Sequence, residues 1–177
     1  MKKLTILLFS ILISFNSYGD FQDGWDALNS GDYKTAFNEW KQAAEQGHAR
    51  AQYNLGTMYR KGEGVLKDYK EAFKWYTKAA EQGYDGAQSN LGWMYANGKG
   101  VLKDPKEAVK WYTKAAEQGD ADAQYNLGWM YAYGKGVLKD LSKAKYWIKK
   151  AYENPEADAI TKKLAEEKWN AFELWKY

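Results

Sequence analysis

The sequence predicts an all-α protein, an α/α superhelical solenoid of antiparallel helix pairs, on three observations. A six-residue mark, AQYNLG at residues 51–56, returns as AQSNLG at 87–92 and as AQYNLG at 123–128, a step of 36 residues each time. Other marks keep the same step: Gly62, Gly98 and Gly134; Val65, Val101 and Val137; Asp68, Asp104 and Asp140; Ala72, Ala108 and Ala144. Within each unit, apolar residues such as Ala51, Leu55, Met58 and Tyr59 recur at helical spacing. A strict period of this size is expected of units that bury their apolar faces only against their neighbours.

Taken in order, residues 1–19 read as a secretory signal. Lys2 and Lys3 open it, an apolar run follows from Leu4 to Phe15, and Ser17 and Gly19 offer a small-residue cleavage site after Gly19. The run is too short to span a bilayer, which takes about 20 apolar residues. Residues 20–47 form a partial first unit, with a short A helix from Phe21 to Asn29, a turn at Gly31 and Asp32, and a B helix from Tyr33 to Gln46.

Three full 36-residue units then occupy residues 48–155. In the first of them the A helix runs from Ala49 to Lys61, Gly62 and Gly64 make the loop, and Asp68 opens the B helix with Glu71 placed for a capping box. In the next, Asp104 is followed by Pro105 at the first helical position and Glu107 at the third. Gly47, Gly83 and Gly119 end the B helices, and Gly56, Gly92 and Gly128 are small where backbones approach. Residues 156–177 form a capping helix, Ala157 to about Trp175, with Ile160, Leu164 and Phe172 on its apolar side.

Charge and composition narrow the function. Without the two signal lysines the chain carries 24 basic and 23 acidic residues and no basic run, so the footprint of a nucleic-acid binder is missing. No cysteine is present, which excludes thiol catalysis, disulfide staples and a lipid-anchoring cysteine after the signal. The expected location is therefore periplasmic or secreted, with no membrane anchor.

Nothing in the sequence assembles a catalytic, metal or cofactor site. His48, the lone histidine, stands where Asp120 stands two units on, and reads as a cap or loop residue. Ser142 to Lys145 spells S-x-x-K, but its companion motifs are absent and the segment begins a B helix. Glu81 and Glu117 read as a solvated helix face, and the loop glycines as turns, not as a phosphate cradle.

The pattern AQYNLGTMYRKGEGVLKDYKEAFKWYTKAAEQG resembles the Sel-one-like repeat (SLR), the longer-loop relative of the tetratricopeptide repeat (TPR). The first, shorter unit is TPR-like. The resemblance implies a right-handed superhelix that binds a protein or peptide, often on a concave surface lined by A helices. It further implies roles as periplasmic adaptors, signalling regulators or immunity proteins against secreted toxins. A disulfide-rich subset resembles β-lactamases, and the missing cysteines set this chain apart from it. The expected function is a periplasmic protein-binding scaffold. The alternative is an immunity protein that neutralises a secreted envelope-targeting effector such as a lipase, and a hydrolase is the weaker rival.

Where a partner would bind follows from helix geometry. At about 100° per residue, positions two and five away from the core leucine point to its far side. Most of those positions change from unit to unit while the core marks repeat. They nominate Tyr53, Thr57 and Arg60; Ser89 and Trp93; Tyr125 and Trp129; with Asn97 and Tyr133 close by at the next position and Trp25 joining from the first unit. Ala96, Asp122 and Ala132 fall on the same side. Trp93 and Trp129 have a second reading, as space fillers between successive A helices.

Overall fold

The computed structural model describes residues 21–176, the side chain of Trp175 excepted, and the proposed signal lies outside the described residues. Those residues form two compact units that divide between Ala79 and Ala80. Unit 1 holds α1 (21–29), α2 (Tyr33–Glu45), α3 (Ala49–Lys61) and most of α4 (Tyr69–Glu81). Unit 2 holds α5 (Asp85–Asn97), α6 (Pro105–Gln118), α7 (Ala121–Tyr133), α8 (Leu141–Glu153), α9 (Ala159–Ala171) and a final 3₁₀ turn, Leu174–Lys176. No strand occurs among the described residues. The short turns make successive helices antiparallel.

The repeat marks are the core. Ala51, Leu55 and Met58 on α3 are buried, as are Ala87, Leu91 and Met94 on α5 and Ala123, Leu127 and Met130 on α7. Each B helix answers with a stripe at i, i+4 and i+7: Ala72, Tyr76 and Ala79; Ala108, Tyr112 and Ala115; Ala144, Ile148 and Ala151. The A-helix glycine is what lets the large middle residue of that stripe lie against the helix. A Cβ on Gly92 would stand 2.6 Å from the Tyr112 ring, and one on Gly128 2.6 Å from Ile148.

Two devices join a repeat to the one before it. The glutamine of each AQ pair is buried and donates back to the last turn of the preceding B helix: Gln52 to Ala44 O at 3.0 Å, Gln88 to Ala80 O and Gln124 to Ala116 O, both at 3.2 Å. In unit 2 further amides extend this contact, Gln118 to Gln88 at 2.7 Å and Asn154 to Gln124 at 3.1 Å. The second device is a loop glycine. Gly136 has φ +71°, and a Cβ there would meet Pro105 O at 2.2 Å; Gly64, φ +69°, would meet Tyr33 O at 2.1 Å. These two loops thus rest on the first residue of the preceding B helix.

Three expectations are corrected. The capping boxes close on one side only: Asp68 and Asp104 accept from the first-turn amides, but their own N–H groups donate to Tyr59 O and Tyr95 O at 2.9 and 3.0 Å. Glu71 and Glu107 turn instead to Lys74 and Lys110. The capping helix stops at Ala171, four residues short of the expected end, and Glu173 takes a left-handed φ of +49° before the 3₁₀ turn. Its inward stripe is Thr161 and Ala165, with Ile160 68% exposed. Asp158 caps the helix through the Thr161 amide while the Thr161 hydroxyl donates to Asp122 at 2.6 Å, which fixes that phase.

Candidate functional site

In unit 1 two of the three nominated A-helix residues, Thr57 and Arg60, converge on one atom, and Tyr53 packs beside it. Tyr76 is buried, and its phenol oxygen receives Arg60 Nε at 3.2 Å and shares a 3.0 Å hydrogen bond with Thr57 Oγ1. With the guanidinium donating in, the phenol proton is free to go to Thr57. The Tyr53 ring lies 5.8 Å from the Tyr76 ring. Burial pushes the Tyr76 phenol up despite both hydrogen bonds, so it stays protonated at neutral pH. Thr57 and Arg60 therefore hold a buried hydroxyl.

Trp25 also sits within unit 1. It packs edge-on against Trp40 at 5.4 Å, and Arg50 lies over its ring at 5.3 Å. His48 is the N-cap of α3, as expected: its Nδ1 accepts from the Ala51 N–H at 3.2 Å and its ring stacks on Phe21. Burial, then the nearby Arg50, holds its pKa below the ordinary value.

Unit 2 is different. Trp93, Asn97, Tyr125 and Trp129 come together with Ala96, Lys103, Tyr112, Asn126 and Met130 to line a cleft of about 430 Å³. The two tryptophans are half-buried, so they serve both the packing and the cleft. Asn97 and Asn126 each tie the amide nitrogen to a carbonyl one turn back, Trp93 O and Asp122 O, at 2.8 Å. That leaves their side-chain oxygens as the untethered ends.

Two nominated residues of unit 2 fall outside the cleft. Ser89 is buried, and its hydroxyl donates to Asp120 at 3.0 Å. Tyr133 is 45% exposed, packed between Trp129 at 4.8 Å and Phe172 at 5.0 Å. Ala132, placed by helix geometry on the far side from Leu127, is buried in a cluster with Ala165 and Leu174. The C-terminal segment covers it.

Tyr112 and Asp120 were not nominated. Tyr112 is buried like Tyr76, and its phenol is pushed up by burial and then by the carboxylates of Asp120 and Asp122. Burial also raises Asp120, against hydrogen bonds from the Ala123 amide and Ser89. A second, acidic cleft lies at the N-terminal ends of α5, α7 and α9, lined by Asp85, Asp120, Asp122, Glu156 and Asp158. Tyr112 could have been found from the period, since it repeats Tyr76. Among the described residues no three metal-ligating side chains gather, and no helix is long and apolar enough to cross a membrane.

Helix pairs repeating every 36 residues define a helical-repeat protein. The Sel1 repeat model matches residues 21–48, 49–84, 86–120 and 121–155, and the chain belongs to that family. Members of this family generally serve as scaffolds for protein–protein contact. Residues 21–48 match as a Sel1 repeat in their own right.

Among solved structures the chain is similar to c5321, described as a protective antigen present in uropathogenic Escherichia coli strains and displaying an SLR fold. The two share 38% identity at a TM-score of 0.77, over 85% of this chain and 33% of that one. A Sel1 repeat protein from Oxalobacter formigenes gives 38% and 0.73, over 77% and 56%. Cysteine rich protein B of Helicobacter pylori gives 29% and 0.57, over 73% and 92%. A curated relative, DAP3-binding cell death enhancer 1 of Rattus norvegicus, is 36% identical over 56 residues. The match spans 32% of this chain and only 10% of that relative.

Proposed function

We propose that the protein is a periplasmic scaffold that captures another protein or a peptide on the A-helix face of unit 2, at the cleft between Trp93 and Trp129. The observation that carries this reading is the cleft itself: two half-buried indoles, Tyr125 and two asparagines on α5 and α7, opening to solvent. Aromatic side chains bury a large area for little ordering entropy, which suits them to anchor a partner. The signal-like pattern of residues 1–19 in the sequence supports the location, and the reading invokes no cofactor and no catalysis.

The experiment is capture of the partner from a periplasmic extract by wild type and by Trp129→Ala and Tyr125→Ala, with helicity followed in parallel. Loss of about 2 kcal/mol of binding in a folded variant is expected of a hot spot. Folded variants that capture the same partner at full strength would sink the docking site. A captured partner that is a secreted effector, and whose toxicity this protein relieves on co-expression, would make the role immunity. A chromogenic β-lactam assay on the purified protein tests the hydrolase reading.

A further inference from the structure

The two units carry the same buried tyrosine in different surroundings, and the difference shows what the cleft lacks. In unit 1 the Tyr76 hydroxyl is satisfied by Arg60 at 3.2 Å and Thr57 at 3.0 Å. One repeat on, the corresponding positions hold Tyr112, Ala96 and Trp93. Both polar partners are gone. Among the described residues the Tyr112 hydroxyl has no hydrogen-bond partner; the residue is buried but for this end, which lines the cleft with Ala96 and the two tryptophans. The hydroxyl opens to the cleft, where water reaches it, and a charged donor on a ligand makes a hydrogen bond about twice as strong as a neutral one.

We propose that the cleft of unit 2 takes an arginine side chain of the partner, its guanidinium bonding Tyr112 as Arg60 bonds Tyr76. The inference rests on the docking reading above and names the chemistry of what docks. Ala96 leaves open the place that Arg60 fills in unit 1. Trp93 and Trp129 offer indole faces, on which a planar, weakly hydrated guanidinium stacks better than a compact ammonium. Asp120 and Asp122 act on Tyr112 from the next repeat, so the local field favours a cation. Lys103, the one cation in the lining, repeats Lys67, and unit 1 holds Arg60 against its tyrosine with that lysine present.

The test uses the full chain and small probes: Nα-acetylarginine amide, the lysine analogue, and the citrulline analogue, which is neutral and nearly isosteric. Binding is read from the indole N–H resonances of Trp93 and Trp129. Saturable shifts with arginine are expected, at least about tenfold weaker with citrulline, as a hydrogen bond to a charged group implies. Tyr112→Phe should keep its helicity and melting temperature, because its hydroxyl is unpaired in the free protein, yet weaken arginine about tenfold. Ala96→Arg supplies the guanidinium in cis, and should block the probe while raising the melting temperature.

Equal binding of citrulline, no saturable shift, or an Ala96→Arg variant that neither blocks the probe nor melts higher would overturn the proposal. Partner capture by Trp129→Ala decides the docking reading separately. Capture that depends on Trp129, together with no arginine response, would leave the scaffold standing and remove only the guanidinium.

Discussion

Replacing Gly136 with alanine tests the joint between repeats more sharply than any core truncation, because a neighbouring glycine in the same loop supplies the control. Gly134 and Gly136 both lie in the left-handed region, at φ +66° and +71°. An L side chain in that region costs about 1–2 kcal/mol. At Gly134 little else stands in the way, the nearest atoms being Lys139 Cβ and N at 3.4 Å. At Gly136 the new carbon would lie 2.2 Å from Pro105 O and 2.4 Å from Pro105 C, more than 1 Å inside the closest ordinary C···O contact of about 3.3 Å.

Pro105 is the first residue of α6, and its backbone cannot yield without tilting the helix start. Overpacking of this kind adds about 1–3 kcal/mol, so Gly136→Ala should lose about 2–5 kcal/mol in all against about 1–2 for Gly134→Ala. Urea titration followed by far-ultraviolet circular dichroism measures both. Equal midpoint shifts would show that the loop does not bear on the preceding helix, and the joint described here would be wrong.

Leu91→Ala and Leu102→Ala remove the same atoms from positions 0% and 88% exposed, so the first should destabilise by about 2–5 kcal/mol and the second by under about 0.5 in the same titration. Gln124→Met keeps the length of the side chain but removes two hydrogen bonds, leaving the Ala116 carbonyl and the Asn154 amide only the Gly119 N–H and the Gly119 carbonyl as partners, and should cost about 1–3 kcal/mol. Hydrogen exchange of the α7 amides would report it. For His48, burial lowers the folded pKa while the unfolded histidine titrates near 6.5, so as the pH falls through that value the unfolded state binds the proton first. Stability should be full above pH 6.5 and decline below it, and His48→Asn, which keeps a capping acceptor, should abolish that slope in melting scans between about pH 7.5 and 5.5.

What the sequence shows clearly is what the period repeats. Leu55, Leu91 and Leu127 declare the inner face of the A helices because three copies of one pattern agree, and Ala49–Lys61 begins and ends where its spacing predicts. What a single helix cannot show is its neighbour. Thr57 and Arg60 read as surface from the phase of α3, yet they are drawn onto a tyrosine 19 and 16 residues further on. Ala132 reads as exposed until the C-terminal segment covers it. Ile160 misled for a similar reason, since the hydrogen bond from Thr161 to Asp122, 39 residues apart, sets the rotation of α9. The cleft was legible as aromatic residues on one stripe, but the hydroxyl at its wall was not, because Tyr112 matters through the partners it has lost.

The buried glutamines bear on how such a chain changes length. Gln52, Gln88 and Gln124 each reach the carbonyl eight residues earlier, across the turn from one repeat to the next, with nearly the same geometry. The seam is therefore written locally and identically at every junction. Duplicating or deleting 36 residues in register reproduces a seam that already works, whereas a change of length within those eight residues would part the glutamine from its carbonyl. Growth by whole repeats is then nearly neutral for folding, and the A-helix positions that escape the seam, such as 57, 93 and 129, are free to drift from threonine to tryptophan and so turn a copied scaffold into a new surface.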